Sequence, residues 1–320
     1  MKLMNYSITI RIIVILVLFL LMFTVSCTSV QRHYMDNIDT TYKTVRTLGE
    51  TVGALIDLNK ANYTDTSVPG PLGEIPVRIY IPKKIRKDAP LVMYMHGGGF
   101  VIGSYAQKHS VTNNLADRAQ CIIISVDYAL APEHPYPAGL MDCLAVYNYL
   151  VENARYFRSD PKRIVVAGDS AGAALSAVIC QFQRDHKQQI PLAQMLFSPA
   201  TGERNPETGE VWPSRLENAK KSFLTKRSLE IFFDFYLAGK VKENENNPYV
   251  YPLYAKTFKN LPPAMISLCG KDPLRDEGQA YADALVREGI RTDTILMKYK
   301  DHNYQGSKVI KFASDFLNSL

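Results

Sequence analysis

The sequence contains few cysteines, and their spacing excludes one common class of site. There are five in 320 residues, and none has the close C-x-x-C spacing of a metal or redox centre. Cys121, Cys143, Cys180 and Cys269 each lie in or beside an apolar segment. We therefore expect buried thiols that pack as small hydrophobic side chains. An exported protein would allow them to oxidise, and the sequence leaves their pairing open.

The sequence also lacks an extended basic tract. Its formal net charge is +6, and the basic stretch at residues 83–87 follows a proline, which is typical of a solvated turn. This charge gives no support for nucleic-acid binding and identifies no substrate. With 47% hydrophobic residues, the chain is able to bury a large core as one α/β domain, with or without a small lid.

A long apolar run occurs at the N-terminus. Residues 12–23 are all apolar, a stretch that is short for a transmembrane helix and typical of a signal h-region. The small residues before Cys27 resemble the lipobox of bacterial lipoproteins, in which that cysteine becomes the acylated first residue. We predict a targeting segment at residues 1–27 and an exported protein anchored to a membrane of the cell envelope through Cys27. A cleaved secretory signal, giving a periplasmic or secreted protein, and an uncleaved anchor are the alternatives.

Short apolar runs then alternate with helical patterns. Residues 28–62 predict a polar tether with an amphipathic helix, and residues 63–73, rich in proline and glycine, predict a loop. Residues 63–320 form the predicted catalytic domain. Strands are predicted at 75–81, 91–95, 121–126, 163–167, 192–197, 264–269 and 292–299, with helices at 110–120, 139–157, 173–180, 279–288 and 308–320. This order predicts an α/β fold with a mostly parallel sheet, helices on both faces and a site at the strand C-termini.

Residues 200–250 interrupt that alternation. The stretch is polar, carries the single tryptophan, Trp212, and contains one aromatic-rich helical segment at residues 228–237. A structureless connection of this length is improbable in a compact domain, so we predict a small helical cap or lid inserted at about 200–250.

The most informative stretch is GDSAG at residues 168–172. It follows a buried strand and precedes a run of small apolar residues typical of a helix packed on a sheet. A serine between two glycines on a strand-to-helix turn is the context of a nucleophile elbow, where the backbone is strained and neighbouring chain lies close. Ser170 is therefore the candidate nucleophile, although the same short pattern also occurs in connections without chemistry.

Two further segments complete a hydrolytic set. His96 and three glycines follow the strand at 91–95, and glycines there allow backbone N–H groups to approach a substrate oxygen. Asp272 and His302 each follow a later strand, so Ser170, acid and histidine occur in the chain order of α/β-hydrolases. Asp276 is the rival acid. We expect His96 to brace the glycine loop, and His33, His109 and His186 to lie on the surface.

These motifs, together with residues 127–138 and the DPLRDEG segment at 272–278, resemble the bacterial hormone-sensitive-lipase-like carboxylesterases over roughly residues 70–318. The resemblance implies an α/β-hydrolase whose cap combines the N-terminal helices with the insertion. It implies Ser170 as nucleophile, His302 as base, Asp272 as the residue that orients it, and an oxyanion hole from the N–H groups of Gly98, Gly99 and Ala171. Ala173 and Asn303-Tyr304 depart from the family pattern, the latter beside the base.

The sequence thus predicts a serine carboxylic-ester hydrolase that uses no metal or other cofactor. Its expected partner is a small-molecule ester with a short to medium acyl chain, hydrolysed through an acyl-enzyme. An amidase or arylformamidase and a sugar acetyl-esterase are alternatives on the same fold. An inactive hydrolase-like binding protein is an alternative from another class.

Overall fold

The architecture is known here from a computed structural model. It describes residues 35–56, 63–220 and 222–320, with the backbone alone for residues 48–56. The predicted targeting segment at residues 1–27 lies outside the described residues, as do residues 28–34 and 57–62 of the predicted tether.

The described strands form one eight-stranded sheet. They are β1 (Tyr63–Gly70), β2 (Gly73–Tyr80), β3 (Leu91–Met95), β4 (Ile123–Val126), β5 (Ile164–Asp169), β6 (Ala193–Phe197), β7 (Ala264–Lys271) and β8 (Thr292–Asp301). Their order across the sheet is β1-β2-β4-β3-β5-β6-β7-β8. The pairs β1–β2 and β2–β4 are antiparallel, and the other five pairs are parallel. The predicted mostly parallel α/β sheet is confirmed.

Helices connect these strands and cover both faces of the sheet. They are α1 (Ile38–Ile56), α2 (His109–Ala119), α3 (Ala138–Asn153), α4 (Ala171–Asp185), α5 (Pro213–Glu217), α6 (Lys226–Tyr236), α7 (Arg275–Arg287) and α8 (Ser307–Asn318). Residues from α3, α4 and α7 pack in one core, and residues from α2 and α8 pack in a second.

The central strands are buried on both faces, which explains their continuous apolar sequences. In β3, Leu91, Met93 and Met95 enter the first core, whereas Val92 and Tyr94 enter the second. This alternation follows from the two-residue period of a strand. Parallel strands that end at the same edge bring the residues following β3, β5, β7 and β8 together there, which is where the site is found.

The predicted loop at residues 63–73 is wrong, because most of it is strand β1. β1 pairs with β2 through a turn between Gly70 and Gly73. Its proline, Pro69, is tolerated because β1 is an edge strand, where an unpaired backbone position does not interrupt a ladder. The proline and glycine residues indicate the hairpin turn, but they do not indicate the strand before it.

Two histidines that we predict to lie on the surface differ in exposure. His186 is exposed as predicted, whereas the prediction for His109 is wrong, because its ring is buried between Tyr63 and Tyr80 at centroid distances of 5.5 Å each.

The segment 200–250 contains α5 as well as the predicted aromatic helix, α6. A helix as short as α5 leaves too few apolar repeats to be recognised from periodicity.

The four cysteines in the described ranges, Cys121, Cys143, Cys180 and Cys269, are buried, as the apolar flanking sequence predicts, and each of them is a free thiol. Over the same ranges, no helix is both long and apolar enough to cross a bilayer.

Candidate active site

Ser170 occupies a strained turn between β5 and α4. Its φ of +54° lies in the left-handed region that side chains other than glycine seldom adopt. The turn is fixed because the Ser170 N–H donates to the Phe197 carbonyl over 2.8 Å. A Cβ at Gly172 would lie 2.1 Å from the Met95 carbonyl oxygen, so a larger residue would displace α4 from β3. The glycines of the motif therefore allow the packing that lifts the serine hydroxyl above the sheet edge.

Ser170, His302 and Asp272 form one continuous hydrogen-bonded chain. His302 Nε2 lies 3.0 Å from Ser170 Oγ, and His302 Nδ1 lies 2.8 Å from Asp272 Oδ2. All three residues are buried, and Asp272 has no exposed surface. A carboxylate only accepts, so Nδ1 carries the proton and Nε2 is left as the acceptor that faces the serine hydroxyl.

The rival acid, Asp276, lies in a different set of contacts. Its Oδ2 accepts from the Ser214 N–H at 2.7 Å, and its Oδ1 forms an ion pair with Arg275 at 2.7 Å. Asp276 thus connects α7 to α5, while Asp272 contacts the imidazole.

Gly98, Gly99 and Ala171 surround Ser170 with backbone amides. Gly98 and Gly99 have φ values of +128° and +61°, and a Cβ at Gly98 would lie 1.9 Å from the Ile102 carbonyl oxygen. Gly98, Gly99 and Ser170 line one cavity, and Gly99, Ser170 and Ala171 line a smaller one beside it. The three residues named by the resemblance therefore meet at the nucleophile.

His96 braces the glycine loop, as predicted. Its Nδ1 lies 2.8 Å from the Gly97 carbonyl oxygen, and its ring stacks on Tyr128 at a centroid distance of 4.4 Å. Tyr128 also donates its hydroxyl to the His96 carbonyl over 2.7 Å. The ring and the loop backbone are thus held together in the core.

Two unequal cavities include Ser170 in their lining. The larger has a volume of about 320 Å³ and includes His302 in its lining, with Met35, Val45, Phe223 and Phe232 on its apolar side. The smaller has a volume of about 20 Å³ and is almost wholly apolar, with Leu229, Phe233 and Leu274 among its residues.

A charged pair that the sequence does not predict lies in the lining of the larger cavity. Lys108 Nζ lies 2.8 Å from Asp169 Oδ2, and Asp169 is fully buried. Burial opposes ionisation of this carboxyl, but the Lys108 ammonium and hydrogen bonds from Tyr94 and Asn303 hold the pKa of Asp169 below its ordinary value. Asp169 is in the GDSAG motif, whereas nothing in the local sequence distinguishes Lys108 from a surface lysine.

A second buried pair connects the predicted cap to α7. Glu277 Oε2 accepts from Arg215 Nε at 2.8 Å, and its Oε1 accepts from the Thr201 N–H at 2.9 Å. Burial raises the pKa of Glu277 to about 7, although the Arg215 guanidinium opposes that shift. The pair thus joins α5 to α7, the helix that follows the loop carrying Asp272.

Comparisons with known proteins identify the same fold. A family model for the α/β hydrolase fold matches residues 92–306, more than half of the chain. Esterase LipI of Mycobacterium tuberculosis is 36% identical over 261 residues, which cover 79% of this chain and 78% of the relative. Carboxylesterase NlhH of the same organism is 39% identical over 234 residues, covering 73% and 72% of the two chains.

Solved structures give the same result. A hyperthermophilic esterase from the archaeon Pyrobaculum calidifontis matches with a TM-score of 0.80 and 30% identity, covering 90% of this chain and 96% of that one. A thermostable carboxylesterase cloned from a metagenomic library matches with a TM-score of 0.80 and 29% identity, covering 88% and 98%. By sequence motifs, fold and relatives, this chain belongs to the α/β-hydrolase family, among the hormone-sensitive-lipase-like carboxylesterases that its motifs resemble.

Proposed function

We propose that the protein is a serine carboxylic-ester hydrolase, with Ser170 as nucleophile, His302 as general base and Asp272 as the residue that orients the imidazole. The observation that carries this proposal is the unbroken chain from Asp272 through His302 to Ser170, with contacts of 2.8 and 3.0 Å. It ends at a cavity lined by backbone amides. Esters are the substrates expected from its named relatives, which are an esterase and a carboxylesterase.

Acylation begins at the Ser170 hydroxyl. His302 Nε2 accepts its proton while Oγ attacks the ester carbonyl carbon, and Asp272 stabilises the imidazolium that forms. Collapse of the tetrahedral intermediate breaks the bond to the alcohol oxygen, which takes the proton from Nε2. Water then repeats the sequence on the acyl-enzyme, so that a carboxylic acid leaves and Ser170 is regenerated.

The N–H groups of Gly98, Gly99 and Ala171 are the proposed oxyanion hole. Ala171 is the first residue of α4, so its N–H has no partner within the helix and the positive end of the helix dipole lies beside it. Fixed donors of this kind stabilise the charge of the intermediate without reorganising during the reaction.

A cap over the site is proposed from two segments, residues 28–62 with their helix α1 and the insertion at about 200–250. Met35 and Val45 from the first segment and Phe223 and Phe232 from the second line the same cavity. Arg46 fastens α1 to the domain beneath, donating to the carbonyls of Val101 and Ala131. The expected role of this cap is to exclude water and limit substrate size.

Export and anchoring through a lipidated Cys27 are also proposed. The support is the sequence of residues 12–27, with its apolar run, small residues and cysteine. The multiple chains of a bacterial lipoprotein would give stable attachment, whereas a single chain would be reversible.

The decisive experiment compares the wild-type protein with Ser170→Ala on p-nitrophenyl acetate. Loss of a nucleophile leaves only the residual rate from the oxyanion hole and binding, so we expect kcat to fall by about 10⁴-fold or more. A serine-directed phosphonate should add one equivalent of mass to the wild type and none to the variant. Ser67→Ala, at an exposed position of strand β1, is the matched control and should keep full activity.

Two outcomes would reject the proposal. A folded wild-type protein that hydrolyses no ester would leave the binding-protein alternative, and a Ser170→Ala variant with more than a few per cent of wild-type activity would mean another nucleophile. Faster turnover of p-nitroacetanilide than of p-nitrophenyl acetate would favour the amidase.

A further inference from the structure

The position of His302 indicates which cavity receives the alcohol portion of the ester. The imidazole returns its proton to the leaving alcohol oxygen, so the alcohol lies on the side of Ser170 where His302 is found. His302 lines the larger cavity of about 320 Å³, whereas the residues of the smaller one do not include it. We therefore expect the alcohol to enter the larger cavity, which leaves the smaller cavity for the acyl group.

The larger cavity has two unlike walls. Met35, Val45 and Phe223 form an apolar wall, and Gln107, Lys108 and Asn303 form the other, here called the polar wall. Gln107 and Lys108 belong to the short 3-10 helix Ala106–Lys108 after the glycine loop, and Asn303 directly follows His302.

The polar wall carries little net charge. Lys108 is balanced by the buried carboxylate of Asp169 at 2.8 Å, which also accepts from Tyr94 Oη at 2.8 Å and from Asn303 Nδ2. A carboxylate on the substrate would therefore meet no uncompensated cation, and desolvating it in the cavity would be costly.

The wall nevertheless has unused hydrogen-bonding capacity of both kinds. An ammonium has three N–H donors, and the single contact of Lys108 within the described ranges that involves its ammonium is the one to Asp169. Asn303 must direct its Nδ2 at Asp169, because a carboxylate only accepts. Its Oδ1 is then a buried acceptor that has no partner among the described residues. The Gln107 side-chain amide supplies a further donor and acceptor.

Hydroxyl groups satisfy this pattern better than anions or hydrocarbon, because each both donates and accepts. We propose that the polar wall of Gln107, Lys108 and Asn303 binds the hydroxyls of a neutral polyhydroxylated alcohol, so that the preferred substrates are short-chain acyl esters of sugars or polyols. This rests on the proposed ester hydrolysis. In the reaction, the carbonyl carbon forms a bond to Ser170 Oγ and loses its bond to the sugar oxygen, which receives the serine proton through His302.

The test uses three acetates in which an acetoxymethyl group is attached to a saturated ring. They are methyl 6-O-acetyl-glucopyranoside, cyclohexylmethyl acetate and 4-(acetoxymethyl)cyclohexanecarboxylate, which present hydroxyls, hydrocarbon and a carboxylate to the same wall. We expect kcat/KM for the glucoside to exceed that for each of the others by about tenfold or more, since leaving buried polar groups unpaired is costly.

Three variants localise the preference. Gln107→Leu should lower the glucoside-to-cyclohexyl ratio of kcat/KM by about threefold to tenfold, the range of a neutral hydrogen bond, and Lys108→Met by about tenfold to a hundredfold. Gln188→Leu, at an exposed position after α4, is the matched control and should leave the ratio unchanged. Gln107→Leu removes no buried ion pair, so the test stands even if Lys108→Met fails to fold.

Failure of this inference is distinguishable from failure of the proposed function. Hydrolysis of cyclohexylmethyl acetate at least as fast as the glucoside, a best rate on the carboxylate, or a ratio unaltered by both wall variants would each overturn the sugar assignment while ester hydrolysis stands. Binding of the intact glucoside to Ser170→Ala by calorimetry, weakened in Gln107→Leu/Ser170→Ala, would support it separately from turnover. If the protein hydrolysed neither the three acetates nor p-nitrophenyl acetate, both the sugar assignment and the proposed ester hydrolysis would be overturned.

Discussion

Asp272 Oδ2 lies 2.8 Å from His302 Nδ1, and the other oxygen of the same carboxylate accepts from the Leu274 N–H at 2.8 Å. The carboxylate is thus fixed by its own loop before it fixes the imidazole. Asp276, four positions further on, contacts Ser214 and Arg275 instead.

This difference predicts unequal effects of two conservative substitutions. Asp272→Asn should lower kcat on p-nitrophenyl acetate by about 10⁴-fold, because an amide does not hold the required tautomer. Asp276→Asn should change kcat by less than about tenfold, since it alters a contact between α5 and α7. Steady-state kinetics on both folded variants measure the two losses of kcat. A larger loss in Asp276→Asn than in Asp272→Asn would assign the orienting role to Asp276.

The smaller cavity predicts the acyl preference. A volume of about 20 Å³ accommodates roughly one water-sized group, comparable to the methyl of an acetyl ester. Among p-nitrophenyl esters, kcat/KM should therefore be highest for acetate and should fall from butyrate to octanoate. Phe232→Ala, which removes a ring from both cavities, should shift the optimum to longer chains.

Phe235→Ala on the same helix is the control for that experiment, because this ring packs against Tyr42 at a centroid distance of 5.6 Å and lines neither cavity. It should keep the wild-type preference. Faster turnover of octanoate than of acetate by the wild-type protein would contradict the assignment of the smaller cavity to the acyl group.

The Lys108–Asp169 pair predicts a pH-dependent stability. The pKa of Asp169 is lowered in the fold, so the folded state binds fewer protons than the unfolded state. The resulting stabilisation is present above the unfolded pKa of about 4 and is lost as pH falls through the lower folded value. In Lys108→Met, the ammonium no longer stabilises the buried carboxylate of Asp169. The free energy of unfolding should therefore fall by about 3 kcal/mol at neutral pH.

The cost of Lys108→Met should shrink between pH 7 and pH 4, because protonation removes the buried charge that the variant leaves unpaired. Urea unfolding at several pH values measures it. Lys311→Met breaks the exposed pair with Asp315 and should change stability by no more than about 1 kcal/mol. A Lys108→Met effect that is equal at pH 4 and pH 7 would show that Asp169 does not depend on the ammonium.

The N-terminal segment predicts a lipid anchor at Cys27. Protein extracted with detergent from its native host should have an intact mass that begins at a lipidated Cys27, and Cys27→Ala should be lost from membranes. The attachment requires more than one acyl chain to be stable. A mature chain that retains Met1 and residues 12–23 would establish an uncleaved anchor and contradict the lipoprotein prediction.

The sequence by itself determined the elements whose physical signal is local. The buried strand β5, the turn at 168–172 and the helix after it follow from an apolar run, two glycines and small residues within a short window. The chain order of Ser170, Asp272 and His302 likewise identified the members of the hydrogen-bonded chain, because parallel strands bring their C-terminal ends to one edge. Strand β1 was missed where edge pairing, which depends on β2, outweighed the local proline and glycine signal.

Only the tertiary structure decided what lines the site. Lys108 resembles a surface lysine in sequence, and His109 beside it was expected to be exposed, yet folding buries the histidine and places Lys108 2.8 Å from Asp169. Asn303 acquires its partner in the same way, from a residue 134 positions away. The division of the pocket into a small apolar side and a larger two-walled side depends on such long-range packing, which no window of sequence contains.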